Sequence, residues 1–182
     1  MQTCYNKIML EIFYTQQPVR SEEYIRFVLR KYYNIPNPTI CKSIHGKPYI
    51  PGDKICFNLS HSKGLTALAA GKKGPVGFDC ESLSGKARPA VLSRFTERER
   101  QEIGGTQDFY AHWTARESYV KYLGGSLAAL WRHIEFFGGK LYVDGAETGV
   151  RVTQFDSGGY AFSFCGNYAK YSFRRADPPA KV

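Results

Sequence analysis

The sequence predicts an α+β fold in two parts, each a helix with strands, dividing near residue 90. Three observations lead there. An apolar share of 43% over 182 residues is that of a packed globule. Segments with helical spacing of apolar residues are interspersed with short alternating ones. Glycine- and proline-bearing turns punctuate the chain closely, and the 13 Tyr and 12 Phe suit strands and the helix faces that cover them.

From Asn6 to Tyr14 the apolar residues predict a first strand. Ser21 then caps a helix through Tyr33, with Tyr24, Ile25, Val28 and Leu29 on one face, and the run Asn34 to Pro38 ends it. Between Ile40 and Glu81, CFNLS, LTALAAG and PVGFDCE read as strands separated by HGKP, PGDK, SKG and GKKGP turns. Thr96 and Glu99 have capping-box spacing, so a short helix starts there and Gly104 and Gly105 close it. A longer helix runs from about Asp108 to Leu123 and stops at Gly124 and Gly125. Beyond it, IEFFGGKLYVDG, GVRVTQF, YAFSFCG and AKYSFR alternate as an antiparallel meander would. The tail ADPPAKV is expected to fray.

The net charge of +9 implies an anionic partner: nucleic acid, a phosphate-bearing cofactor, an acidic protein or a membrane surface. Five cysteines without a C-x-x-C pair read as reduced buried thiols, which suggests a cytoplasmic setting. The N-terminus lacks the apolar run of a signal peptide, and no stretch of 18 apolar residues predicts a membrane span.

Chemistry concentrates in two short stretches. Asp79 and Glu81 are two apart on a strand, and Glu117 and Lys121 four apart on a helix, so each pair faces one way. Three acids suit Mg²⁺, which takes oxygen ligands and leaves room for water and phosphate; Mn²⁺ is the other candidate. Lys121 would balance phosphate charge or help a leaving oxygen depart. Taken singly, each pair reads more simply as solvated strand residues and a surface ion pair.

The company these pairs keep is specific. HGKP at 45–48, FNLSHS at 57–62, VGFDCE at 76–81, RFTERE at 94–99 and HWTARESYVK at 112–121 stand in the order found in 4′-phosphopantetheinyl transferases. The chain resembles the monomeric, two-half kind that activates carrier domains of peptide and polyketide synthases. The resemblance implies a pseudo-dimer of two similar α+β halves, each with a small antiparallel sheet packed on helices. Residues 1–90 would carry the coenzyme-binding residues and the Asp/Glu ligands, and 91–182 the catalytic helix. It further implies that Asp79, Glu81 and Glu117 hold Mg²⁺ on the pyrophosphate of coenzyme A. A carrier serine would then attack the β-phosphate and release 3′,5′-adenosine bisphosphate. Glu117 and Lys121 would be catalytic. Lys47, Pro48, Ser60 and His61 would line the coenzyme pocket, with His61 and Lys47 facing its phosphates. The partner would be an acidic acyl or peptidyl carrier protein, with no nucleic acid or membrane bound.

Two positions depart from the family pattern, Phe78 for Ile or Val and Arg116 for Lys, the latter changing reach and donor geometry. The short N-terminus leaves Arg20, Arg26 and Lys31 as candidates for the coenzyme's 3′-phosphate. Glu99 is either an active-site acid or the N3 partner of Thr96. Trp113 reads as core, and Cys80 as a small buried residue on the far face of its strand. The segment Leu83 to Arg98, with Lys86, Arg88 and Arg94, is a candidate carrier contact or a solvated basic loop. Two rival readings remain: a metal-dependent nuclease, which needs the same acids and lysine, and an RNA-binding module using YAKYSFRR at 168–175.

Overall fold

The computed structural model describes residues 9–52, 55–72, 74–85 and 89–179. Cys4, the start of the first expected strand, Lys86 and Arg88 lie outside them. In chain order the elements are β1 (Met9–Thr15), α1 (Ser21–Tyr33), β2 (Cys41–Lys42), β3 (Pro48–Tyr49), β4 (Cys56–Ser62), β5 (Leu65–Gly71) and β6 (Gly77–Ser82). There follow α2 (Pro89–Leu92), α3 (Glu97–Glu102), α4 (Thr106–Leu123), α5 (Leu127–Leu130), β7 (Ile134–Phe137), β8 (Lys140–Val143), β9 (Ala146–Glu147), β10 (Val152–Ser157), β11 (Tyr160–Cys165) and β12 (Lys170–Arg175). The fold is mixed α+β.

Two sheets are stacked between helices. The first has the order β12-β1-β5-β4 and the second β10-β11-β6. The period-2 alternation of β1 sorts its side chains between two cores. Phe13 packs with Ile25, Val28 and Leu29 of α1, whereas Leu10 and Ile12 pack with Phe78, Phe162 and Phe164 of the second sheet. The far face of the second sheet meets α4, where Ala115, Tyr119 and Val120 join Cys165 and the β7-β8 hairpin.

Strand partners differ from expectation. The C-terminal strands are not one meander: β7-β8-β9 form a separate small sheet, β10 and β11 pair with β6, and β12 returns to lie parallel to β1. Alternation shows that a segment is a strand but not which edge it will join. Both sheets therefore draw strands from either side of residue 90.

Local signals were followed closely. Thr96 accepts from the Glu99 amide while Glu99 accepts from the Thr96 amide, completing the capping box of α3. Gly124 ends α4 with φ of 70°, a left-handed cap that glycine adopts without a Cβ penalty. Ser21 is a correction: Arg20 is the N-cap of α1, with no side-chain cap, and Ser21 is already helical. α4 begins two residues before Asp108.

Candidate active site

β4 and β6 are edge strands of different sheets lying side by side, and side chains of β4 take the place of a backbone ladder between them. Asn58, Ser60 and Ser62, on one face of β4, reach across in register. Asn58 Oδ1 accepts from the Phe78 amide at 2.8 Å, Ser60 Oγ donates to Asp79 Oδ1 at 2.8 Å, and Ser62 Oγ donates to Glu81 Oε2 at 2.7 Å. The two carboxylates of β6 are thus held by hydroxyls one strand away.

On the same face β6 lies directly against α4. A Cβ on Gly77 would collide with the Ser118 carbonyl and the Tyr122 amide, so only glycine permits this approach. The alternation of β6 points Asp79 and Glu81 the same way as Gly77, while Cys80 is buried in the opposite core. Helical spacing presents Glu117 and Lys121 to those acids. Lys121 Nζ donates to Asp79 Oδ1 at 2.6 Å and to Ser60 Oγ at 3.2 Å.

A cavity of about 540 Å³ opens here, lined by Asp79, Glu81, Glu117, Lys121, Ser60, His61, Pro48, Lys42 and Glu22. Burial, and then the charge of Asp79, push the Glu117 carboxyl up to about 7, against the opposing pull of Lys121. For Lys121, burial works against the ammonium, but the Asp79 charge and hydrogen bond outweigh it and hold the group above its ordinary value.

Among the described residues no three His, Cys, Asp or Glu side chains are gathered into a ready-made metal site. The donor chemistry nevertheless fits a hard cation. Asp79, Glu81 and Glu117 border one cavity, Lys121 offsets part of their charge, and Asp79 Oδ2 is buried without a hydrogen-bond partner.

Lys47 takes a direction the sequence did not suggest. Its ammonium donates to the Val76 carbonyl at 2.9 Å and to the Lys121 carbonyl at 2.5 Å. Gly46 and Pro48 line this cavity, and Lys47 lines an adjoining hollow that it shares with Glu117 and Lys121. Of the candidates for the 3′-phosphate, Arg26 bonds Glu22 and the Pro38 carbonyl, and Lys31 lies over Phe27 and Tyr32. Arg20 borders an adjoining groove that also meets His61.

Glu99 resolves toward structure. It is fully buried, caps α3, accepts from the Phe136 amide and forms a bidentate pair with Arg116. Arg116 also donates to the Trp131 carbonyl and packs its guanidinium over Phe95 and Trp131. Trp113 packs with Phe109 and Trp131. Arg94 is exposed, and Arg98 pairs with Glu135. Sequence reasoning missed Asn58 and Ser62, although the spacing 58, 60, 62 would have put them on the face of Ser60.

Residues 75–177 match the 4′-phosphopantetheinyl transferase superfamily, and the chain belongs to that family. It is 28% identical over 134 residues to the rat L-aminoadipate-semialdehyde dehydrogenase-phosphopantetheinyl transferase, covering 62% of this chain and 43% of the relative. It is 35% identical over 100 residues to the 4′-phosphopantetheinyl transferase AcpT of Escherichia coli K12, covering 50% and 51%. With HetI of Nostoc the identity is 32% over 98 residues, covering 47% and 41%. The chain spans about half the length of these relatives. The nuclease reading draws no support from them.

Proposed function

We propose that this chain transfers 4′-phosphopantetheine from coenzyme A to a serine of an apo acyl or peptidyl carrier protein and releases 3′,5′-ADP. The observation that carries the reading is the convergence of Asp79 and Glu81 from β6 with Glu117 and Lys121 from α4 on a single cavity.

In this reading Asp79, Glu81 and Glu117 are the residues that hold Mg²⁺, or Mn²⁺, which when bound neutralises the pyrophosphate. The serine oxygen forms a bond to the β-phosphorus, and the bond from that phosphorus to the bridging oxygen breaks. The oxygen leaves with its electron pair on the adenosine bisphosphate. Glu117 receives the serine proton. Lys121 stabilises charge on the departing phosphate. Ser60 keeps Asp79 oriented, and Ser62 does the same for Glu81. His61, Pro48 and the Lys47 segment form the coenzyme side of the cavity.

We further infer a two-half pseudo-dimer of residues 1–90 and 91–182 that exchange strands, working as a monomer in the cytoplasm. Its partner is an acidic carrier, met by the +9 chain through charge complementarity. Among the described residues no helix is long and apolar enough to cross a membrane, and Cys41, Cys56, Cys80 and Cys165 are free thiols.

Incubation with coenzyme A, Mg²⁺ and an apo carrier, followed by intact mass measurement, tests the reading. A gain of one phosphopantetheine is expected. Glu117→Ala should abolish the gain with the fold intact, and Lys121→Ala should lower turnover more than coenzyme affinity. Undiminished transfer by Glu117→Ala would remove the assigned role.

A further inference from the structure

Lys47 stands where three elements meet. It lies at the end of the 43–47 turn between β2 and β3, which is closed by a hydrogen bond from the Gly46 amide to the Ser43 carbonyl at 2.9 Å. Its ammonium reaches the Val76 carbonyl, one residue before β6, and the Lys121 carbonyl in the last turn of α4. Carbonyls in that turn lack the full set of helical partners and carry the negative end of the helix dipole, so a cation is favoured there. The Gly124 amide shares the Lys121 carbonyl at 3.2 Å, and the Gly125 amide closes on Val120 at 3.1 Å. Gly77, immediately after Val76, is the point of backbone contact between β6 and α4. Among the described residues no carboxylate pairs with Lys47; its hydrogen bonds there are to these two carbonyls.

We propose that Lys47 is a positioning residue whose ammonium clamps the end of α4 to the start of β6, setting where Lys121 and Glu117 stand relative to Asp79. The inference rests on the transferase reading for its kinetic consequence but not for its structural one. The side chain of Lys121 bonds Asp79 while its backbone carbonyl is held by Lys47, so both ends of one residue are fixed across the junction. Without the clamp, the last turn of α4 is free to shift against β6. Misplacement of a catalytic group by about 1 Å lowers rate about 100-fold.

The test compares Lys47→Met with wild type by three measurements. Turnover should fall about 10- to 100-fold, while the coenzyme A dissociation constant, by calorimetry, changes less than about two-fold. Amide hydrogen exchange at Gly124 and Gly125 should accelerate. A coenzyme affinity lowered ten-fold or more with turnover retained, or exchange at these amides left unchanged, would overturn the clamp in favour of a phosphate ligand. Should Lys47→Met fail to fold, amine acylation of the wild-type protein decides instead. A clamped Lys47 reacts slowly with and without coenzyme A, whereas a phosphate ligand reacts readily until coenzyme A protects it. If wild type neither binds coenzyme A nor modifies a carrier, the transferase reading fails, and the exchange measurement still judges the clamp.

Discussion

Glu117 is held in a setting that disfavours its own ionisation, through burial first and the Asp79 charge second. The consequence for stability has a definite sign. Its folded value of about 7 lies above the ordinary 4.5, so the folded protein binds the proton more tightly than the unfolded chain. The contribution of Glu117 to stability is therefore fully present below about 4.5 and lost as pH rises to about 7. Urea midpoints of the metal-free wild type should fall across that window relative to Glu117→Gln, and parallel curves for the two proteins would contradict the assignment. At Arg116 burial likewise works against the charge, and Glu99 offsets part of that cost. Its fork is satisfied by both oxygens of Glu99 and by the Trp131 carbonyl. Arg116→Lys keeps the charge but leaves part of this buried set unpaired. The expected loss in urea unfolding is about 1–3 kcal/mol, larger for Arg116→Met at about 3–5 kcal/mol.

Between β6 and α4 the decisive feature is an absent side chain. Gly77 lets the strand backbone rest on the Ser118 and Tyr122 backbone, which brings Asp79 within reach of Lys121. Gly77→Ala should destabilise the protein by at least about 1–3 kcal/mol, the range for overpacking, because the obstacle is backbone that cannot rotate away. It should also lower transfer activity in whatever fraction remains folded. Thermal melts and carrier modification read the two effects separately, and a neutral Gly77→Ala would show that β6 and α4 can separate freely. The elements themselves were largely legible. The capping box at Thr96, the Gly124 stop and the alternation of FNLSHS and GFDCE are local patterns, and local patterns determine dihedral preference and facing. Ser21 misled because serine can serve as a cap or as a first helical residue, and only the position of Arg20 distinguishes them.

At the scale of the whole chain, each of the two stacked sheets combines strands far apart in sequence. β6 of the N-terminal part completes the sheet of β10 and β11, and β12 of the C-terminal part lies beside β1. Fragments 1–90 and 91–182 expressed separately should each lack a strand of their sheet. Circular dichroism should show both without cooperative unfolding, and mixing should restore it. Independent cooperative unfolding of either fragment would mean that the exchange is dispensable.

Element type, the facing of residues within each element, and the family-ordered motifs around Asp79, Glu81, Glu117 and Lys121 were legible in the chain alone, because all of these follow from spacing along a local backbone. Packing of distant parts of the chain settled that β12 joins β1, that Ser62 holds Glu81, that Glu99 belongs to a buried pair with Arg116, and that Lys47 turns to the helix end. Each of those depends on which surfaces meet. Surfaces far apart in the chain are brought together by burial of apolar area, which has no direction along the sequence.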